Sequence, residues 1–312
     1  LRRVLRHLEY GSIPFLGLIA LLAQASGVAL VLFPELGALS HDVLKRPAGA
    51  WARAPLRMVI TPLATAVLGI VIARNLDFGV VAVLLDVLGS VSVIAILRSP
   101  IAPAISAGLL PLVLGVSSPW YPLAISVGTV LLAMIAVLQG KCLRRAVAPR
   151  ALDPIDDVME APPATLSWAP GFFGTVALLA LLAQWTGLRF IVFPPLVVIG
   201  FEMFAHAPVC PWRARPWRLP LACTLASAAG VGLVMVFGPG AIAAMLAMAA
   251  GIAILKGFDL RAPPVLAVAL LPMVMSAPGP GFVLAVLLGS SLMLLAFAGW
   301  QTLLAGIGRL RR

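Results

Sequence analysis

Charge is the scarcest property of this chain. Of its 312 residues only 11% are charged, against 62% hydrophobic, whereas a soluble globular domain carries about 25% charged residues. That shortage excludes an ordinary soluble domain. Histidine is nearly absent: the three present, His7, His41 and His206, have no metal-ligand spacing. No metal site and no cofactor is therefore expected. The three cysteines, Cys142, Cys210 and Cys223, show neither paired spacing nor a zinc motif. Two of them lie in basic connections read as cytoplasmic, where thiols stay reduced. A Gly-rich phosphate loop and a nucleophile elbow are both missing, so no enzyme is expected. The apolar runs do not alternate with polar residues, which argues against a membrane barrel. No cleavable signal peptide is expected either, because the first ten residues are basic and lead into an apolar run.

What is present points one way. Long apolar stretches recur, among them Met58–Ala73, Phe78–Leu97 and Leu219–Gly238, and a bilayer-spanning helix needs roughly 17–25 such residues. Backbone groups in the bilayer core must be satisfied internally, so these runs are read as helices. The 28 glycines and 27 prolines fit the same class, since membrane helices tolerate both. The expected fold is all-α and polytopic, with the lipid bilayer as partner. The net charge of +11 does not imply nucleic acid, because the basic residues sit in short connections instead of forming one solvated face.

The chain repeats itself. Leu21-Leu22-Ala23-Gln24 returns as Leu181-Leu182-Ala183-Gln184, and Phe33-Pro34 as Phe193-Pro194. Trp51, Pro55, Arg57 and Gly69 return as Trp212, Pro216, Arg218 and Gly230. Ile94–Leu97 returns as Ile252–Leu255, Leu110-Pro111 as Leu271-Pro272, and Gly128 as Gly289. Colinear matches of this extent indicate two homologous halves, roughly 11–140 and 171–305. The domain reading is a first membrane repeat over 1–140, a polar, proline-punctuated cytoplasmic linker over 141–168 and a second membrane repeat over 169–312.

Each half contains six apolar segments. In the first they fall near 12–27, 28–44, 57–74, 78–97, 101–116 and 120–140. In the second they fall near 171–187, 190–206, 218–236, 240–255, 263–276 and 281–305. The first, second and fifth of each half are short enough to be re-entrant or broken. With six crossings per half and a cytoplasmic N-terminus, only Arg74 and Arg189 of the 22 Lys and Arg residues fall outside the cytoplasm. Five crossings per half would place Lys45–Arg57 outside, against the positive-inside rule. The expectation is about twelve segments in parallel repeats, both termini cytoplasmic, in a bacterial inner membrane. A homo-oligomer is compatible with it.

Three features interrupt the apolar pattern. The second segment of each half is broken, at Pro34-Glu35-Leu36-Gly37 and at Pro194-Pro195-Leu196-Val197. Paired breaks at matched points of two repeats point to a transporter binding site, and the half-helix after each break would turn its positive end toward an anion. A tolerated proline kink is the plain alternative. The fifth segment is short and proline-bounded in both halves, with Pro103 and Ser106 in one and Pro263 and Pro264 in the other; it is either a site element or a close-packing helix. The third feature is a set of ionisable groups. Asp42 and Glu202 are repeat equivalents followed four residues on by Arg46 and His206, on one helix face. Interfacial ion pairing accounts for them equally well. Asp86 stands within Phe78–Leu97 with an apolar repeat partner. An ionisable group there costs roughly 2.5–3.5 kcal/mol to insert, which makes it a candidate proton or ion relay.

The pattern resembles the HPP family of integral membrane proteins. The likeness rests on Phe193–Phe204 followed by Pro208–Arg218, and on Pro34–Leu44 followed by Pro47–Arg57 in the first half. Pro263–Pro272 and Ala102–Pro111 have the spacing of that family's third motif. The family histidine is replaced by Ile101 and Ala262, so a role needing that imidazole does not carry over. Two copies in one chain also depart from the usual single-domain form. The resemblance implies a transporter or channel for a small solute, an inorganic anion such as nitrite. The basic cytoplasmic rim of Arg53, Arg57, Arg215 and Arg218 would attract such a solute. A non-transporting scaffold or sensor subunit is the competing expectation, and a lipid-acting intramembrane enzyme a weaker third.

Overall fold

A computed structural model describes residues 8–143, 159, 161, 163, 165–210 and 215–310. Most of the expected linker lies outside the described residues, as do Arg2, Arg3, Arg6, Arg144, Arg145, Arg150, Trp212, Arg213, Arg311, Arg312 and the side chain of Arg309. The described residues form twelve α-helices and no strand. In chain order these are α1 (Ser12–Ser26), α2 (Leu36–Lys45), α3 (Pro55–Asn75), α4 (Val80–Ile96), α5 (Ala104–Leu114) and α6 (Tyr121–Leu143). They continue with α7 (Ala169–Thr186), α8 (Pro194–Ala205), α9 (Arg218–Phe237), α10 (Ala241–Gly257), α11 (Pro264–Leu270) and α12 (Pro280–Leu310).

Six stretches are long and apolar enough to cross a membrane: Leu8–Ser26, Pro55–Asn75, Tyr121–Cys142, Ala169–Thr186, Arg218–Phe237 and Pro280–Gly306. They turn large apolar side chains outward. Leu56 is 70% exposed and Met235 72%, a surface that only lipid or another apolar partner would cover without cost. Aromatic rings gather at the helix ends, with Trp120, Trp185 and Trp217 all exposed, as in the interfacial belts of membrane proteins.

Local sequence sets the helix limits. Gly27, Gly115 and Gly187 close α1, α5 and α7 in the left-handed region, where a side chain would be strained. Prolines stand in the first turn of α3, α8 and α11, where the missing N–H costs nothing. Helices α2 and α8 each begin after a break in the chain, at Leu36 and Pro194. A single 3-10 turn (Ala29–Val31) precedes α2, and another (Arg189–Val192) precedes α8. The fifth segments are short as well.

The four short helices occupy the interior. Every residue of α2 from Leu36 to Leu44 is buried, as is every residue of α5 up to Val113, of α8 up to Phe204 and of α11. Helix α2 packs on α11, and α8 packs on both α5 and α11. Helix α1 packs on α10, and α4 packs on α7. Gln24 Nε2 donates to the carbonyl of Pro239 at 3.4 Å, beside the start of α10. Its repeat equivalent Gln184 accepts from the Val80 N–H at 3.3 Å, at the start of α4.

Candidate functional site

Two polar regions break the apolar interior. The larger is a cleft of about 480 Å³ at the end of the bundle holding Glu9 and the last turns of α2 and α10. Its walls carry His41, Asp42, Lys45, Arg46, Glu202, Lys256, Asp259 and Arg261, with Pro263 at the head of α11. Asp42 and Arg46 pair as their spacing predicts, with Arg46 Nε donating to Asp42 Oδ1 at 2.7 Å. Glu202 lines the same cleft. His206 caps α8, and its Nε2 has no hydrogen-bond partner among the described residues. Glu9 crosses between the halves. Its carboxylate accepts from Lys256 Nζ and lies 4.0 Å from both Lys45 Nζ and His41 Nε2.

The second region is closed. It surrounds α5, where three consecutive residues each meet a polar group from another element. Ser106 faces the Glu35 carboxyl without closing a well-formed hydrogen bond to it. The Ala107 carbonyl accepts from Tyr121 Oη at 2.7 Å. Gly108 leaves room that Asp86 and Ser90 fill: a Cβ built there would lie 2.5 Å from Ser90 Oγ and 2.7 Å from Asp86 Oδ1. Glu35 is 1% exposed and Asp86 0%, and Ser90, Ser106 and Tyr121 are equally buried. Among the described residues both Asp86 oxygens and the Ser90 hydroxyl lack a hydrogen-bond partner, and the Glu35 carboxyl and Ser106 hydroxyl have only each other.

Elements position these groups for plain reasons. Glu35 is the N-cap of α2, held at the break by Pro34. Asp86 is in the second turn of α4, on the face turned to α5. Helix α5 is drawn close to α3 by Thr65 Oγ1, which donates to the Ala104 carbonyl at 2.6 Å. A residue without a side chain at 108 lets the acid of α4 reach the α5 backbone.

The sequence candidates therefore divide. Glu35, Ser106 and Asp86 are gathered around α5, whereas Asp42, Glu202 and Pro263 belong to the cleft. Pro34, Gly37, Pro103, Pro194, Pro195 and Pro264 are all buried in the short helices or at their starts. Gly37 packs on Leu270 and Leu266 of α11, so it serves helix contact across the halves. Arg57 and Arg218 join neither region. Arg57 is exposed, and Arg218 donates to the Phe258 carbonyl at 2.6 Å. Sequence reasoning missed Tyr121, Ser90 and Gly108 around α5, and Glu9, His41, Lys45, Lys256, Asp259 and Arg261 in the cleft. Tyr121 is one of two tyrosines in the chain, and its repeat equivalent in the Gly128–Gly289 register is Phe282. That lone hydroxyl was the available signal.

The polar set is confined to the first half. In the registers of the repeat, Glu35 stands opposite Pro195, Asp86 opposite Ala244 and Ser90 opposite Met248. Ser106 stands opposite Ala267. Among the described residues, no group of three or more His, Cys, Asp or Glu could hold a metal ion. No family model, no curated protein and no solved structure matches the chain.

Proposed function

We propose that the chain is a membrane transporter for a small solute, an inorganic anion such as nitrite, built as two parallel six-segment repeats. The observation that carries this reading is the matched pair of broken helices. Helix α2 starts at the Pro34 break and packs on α11 of the other half; α8 starts at the Pro194 break and packs on α5 of the other half. Broken helices at a repeat interface are the usual place for a transported solute. The reciprocal contacts of Gln24 and Gln184 support a two-fold axis along the membrane normal, as parallel repeats require. The sequence of basic connections supports cytoplasmic termini in a bacterial inner membrane. The likeness to the HPP family rests on the residues quoted above and on no match to a family model.

In this reading the charged cleft is the cytoplasmic mouth. Lys45, Arg46, Lys256 and Arg261 are balanced there by Glu9, Asp42, Glu202 and Asp259, so an anion would be held by single bases and not drawn by a net field, while Asp42, Glu202 and His206 would exchange protons. Arg57 and Arg218 would act only at long range. The test is flux: the purified chain in lipid vesicles should carry nitrite, or another small inorganic anion of a tested panel, faster than protein-free vesicles. Rates equal to protein-free vesicles for every anion would favour the scaffold or sensor reading instead.

A further inference from the structure

We propose that Glu35 and Asp86 are the two stations of a proton pathway threaded around α5, with Tyr121 between them and α2 leading from Glu35 to the charged cleft. Its purpose, coupling protons to solute, rests on the transport reading; its existence does not.

The argument begins with solvation. An ionised carboxylate removed from water costs several kcal/mol unless it is paired and hydrogen-bonded. Among the described residues neither Asp86 oxygen has a hydrogen-bond partner, and the Glu35 carboxyl meets only the neutral Ser106 hydroxyl. The turn Arg189–Val192 packs on α5 as well, but Arg189 is exposed, over the Phe78 ring and beside Gly115 at the far end of that helix. Among the described residues the other elements place no base against either carboxyl. Helix α3 carries Arg57 and Arg74 only at its exposed ends, and the lysine of α6 is in its last turn. Helices α7 and α11 hold no charged residue, and Glu202 of α8 lines the cleft. Two carboxyls kept dry without a basic partner are groups that hold a cation, and the smallest cation needs no further ligands.

The arrangement then supplies a route. Ser106, Ala107 and Gly108 follow one another at ~100° steps around α5, so Glu35 and Asp86 lie on different sides of it. The Tyr121 hydroxyl meets α5 at Ala107, the residue between those two contacts, and its oxygen can accept a hydrogen bond while it donates to the Ala107 carbonyl. From Glu35, α2 runs directly to His41 and Asp42 in the cleft wall. The first carboxyl gives its proton to the Tyr121 oxygen, Tyr121 turns its own proton from the Ala107 carbonyl to the second carboxyl, and that carboxyl has released one beyond, so no net charge accumulates. Because the second half replaces each of these groups with an apolar residue or proline, there is one such pathway per chain.

Two measurements on the full chain in lipid vesicles test this. The first is the infrared C=O band of a neutral carboxylic acid. The parent should show it at neutral pH, and Glu35→Gln and Asp86→Asn should each remove a separate part. The second is proton uptake under an imposed membrane potential, read with an entrapped pH dye. Uptake should exceed that of empty vesicles and fall to their rate in Glu35→Gln and in Asp86→Asn, with Tyr121→Phe slowed. A parent without the acid band, a parent without proton uptake, or uptake unchanged in both carboxyl variants would overturn the proposal. Variants are compared only where their thermal melting matches the parent, and the parent measurements decide alone if none does. Anion flux without the acid band would leave the transport reading standing and remove the pathway. Proton uptake without anion flux would do the reverse.

Discussion

At residue scale, a glycine defines the interior site. Gly108 is where α5 gives up its side chain to the Asp86 carboxyl and the Ser90 hydroxyl. A methyl group there must displace one of them in a packed interior, which costs typically about 1–3 kcal/mol. Gly108→Ala should therefore lower thermal stability, measured by melting in detergent. The loss should shrink when Asp86→Ala is made in the same chain, because the two substitutions share one space. Equal losses in the two backgrounds would mean that the methyl group is accommodated elsewhere. Asp86 was legible in the sequence because an ionisable group in an apolar run has no other reason to be inconspicuous. Its company was not. Glu35, Ser106 and Tyr121 lie in three separate segments, and only single side-chain contacts on α5 bring them together. Arg57 and Arg218 were legible as basic but not as placed, since long side chains at helix starts reach either solvent or a nearby carbonyl.

At the scale of elements, apolar runs and prolines made single helices legible, but six stretches are long and apolar enough to cross a membrane where about twelve segments were expected. The second segments of each half were expected to break near Pro34 and Pro194, and α2 and α8 begin there. Pairing between elements was invisible, because it depends on which faces meet across the halves and not on any local pattern. That pairing can be tested by cross-linking in a background where Cys142, Cys210 and Cys223 are replaced. Gln24→Cys with Gly240→Cys, and Gln184→Cys with Gly79→Cys, should both be bridged by a short thiol-specific linker. The readout is retention of one band on a gel after cleavage between the halves. Bridging at only one of the two pairs would break the reciprocity on which the two-fold reading depends.

At the scale of the whole molecule, composition was decisive for class, since a chain with so few charges has little surface to offer water. Sidedness is the part that charge alone can suggest and a labelling experiment can decide. Arg98, Arg74 and Arg189 are all exposed, at different ends of the bundle in the twelve-segment reading. Single cysteines at Arg74 and Arg189 should react with an impermeant thiol reagent added to intact cells. A cysteine at Arg98 should react only after the membrane is opened. Reaction of all three from one side would mean that α4 does not cross, which would overturn six crossings per half.

The interior position of the short helices has a consequence for how the chain is made. Helix α2 is ten residues long, about 15 Å at ~1.5 Å per residue, half of a ~30 Å hydrocarbon layer. It also carries His41, Asp42 and Lys45, so lipid cannot receive it on its own. Its lasting neighbour α11 is synthesised more than two hundred residues later. During that interval α2 must wait against α1 and α6, with one side open to water or to the insertion machinery. The first half released alone would keep that side uncovered, and its survival in a cell would depend on meeting the second half before a protease does.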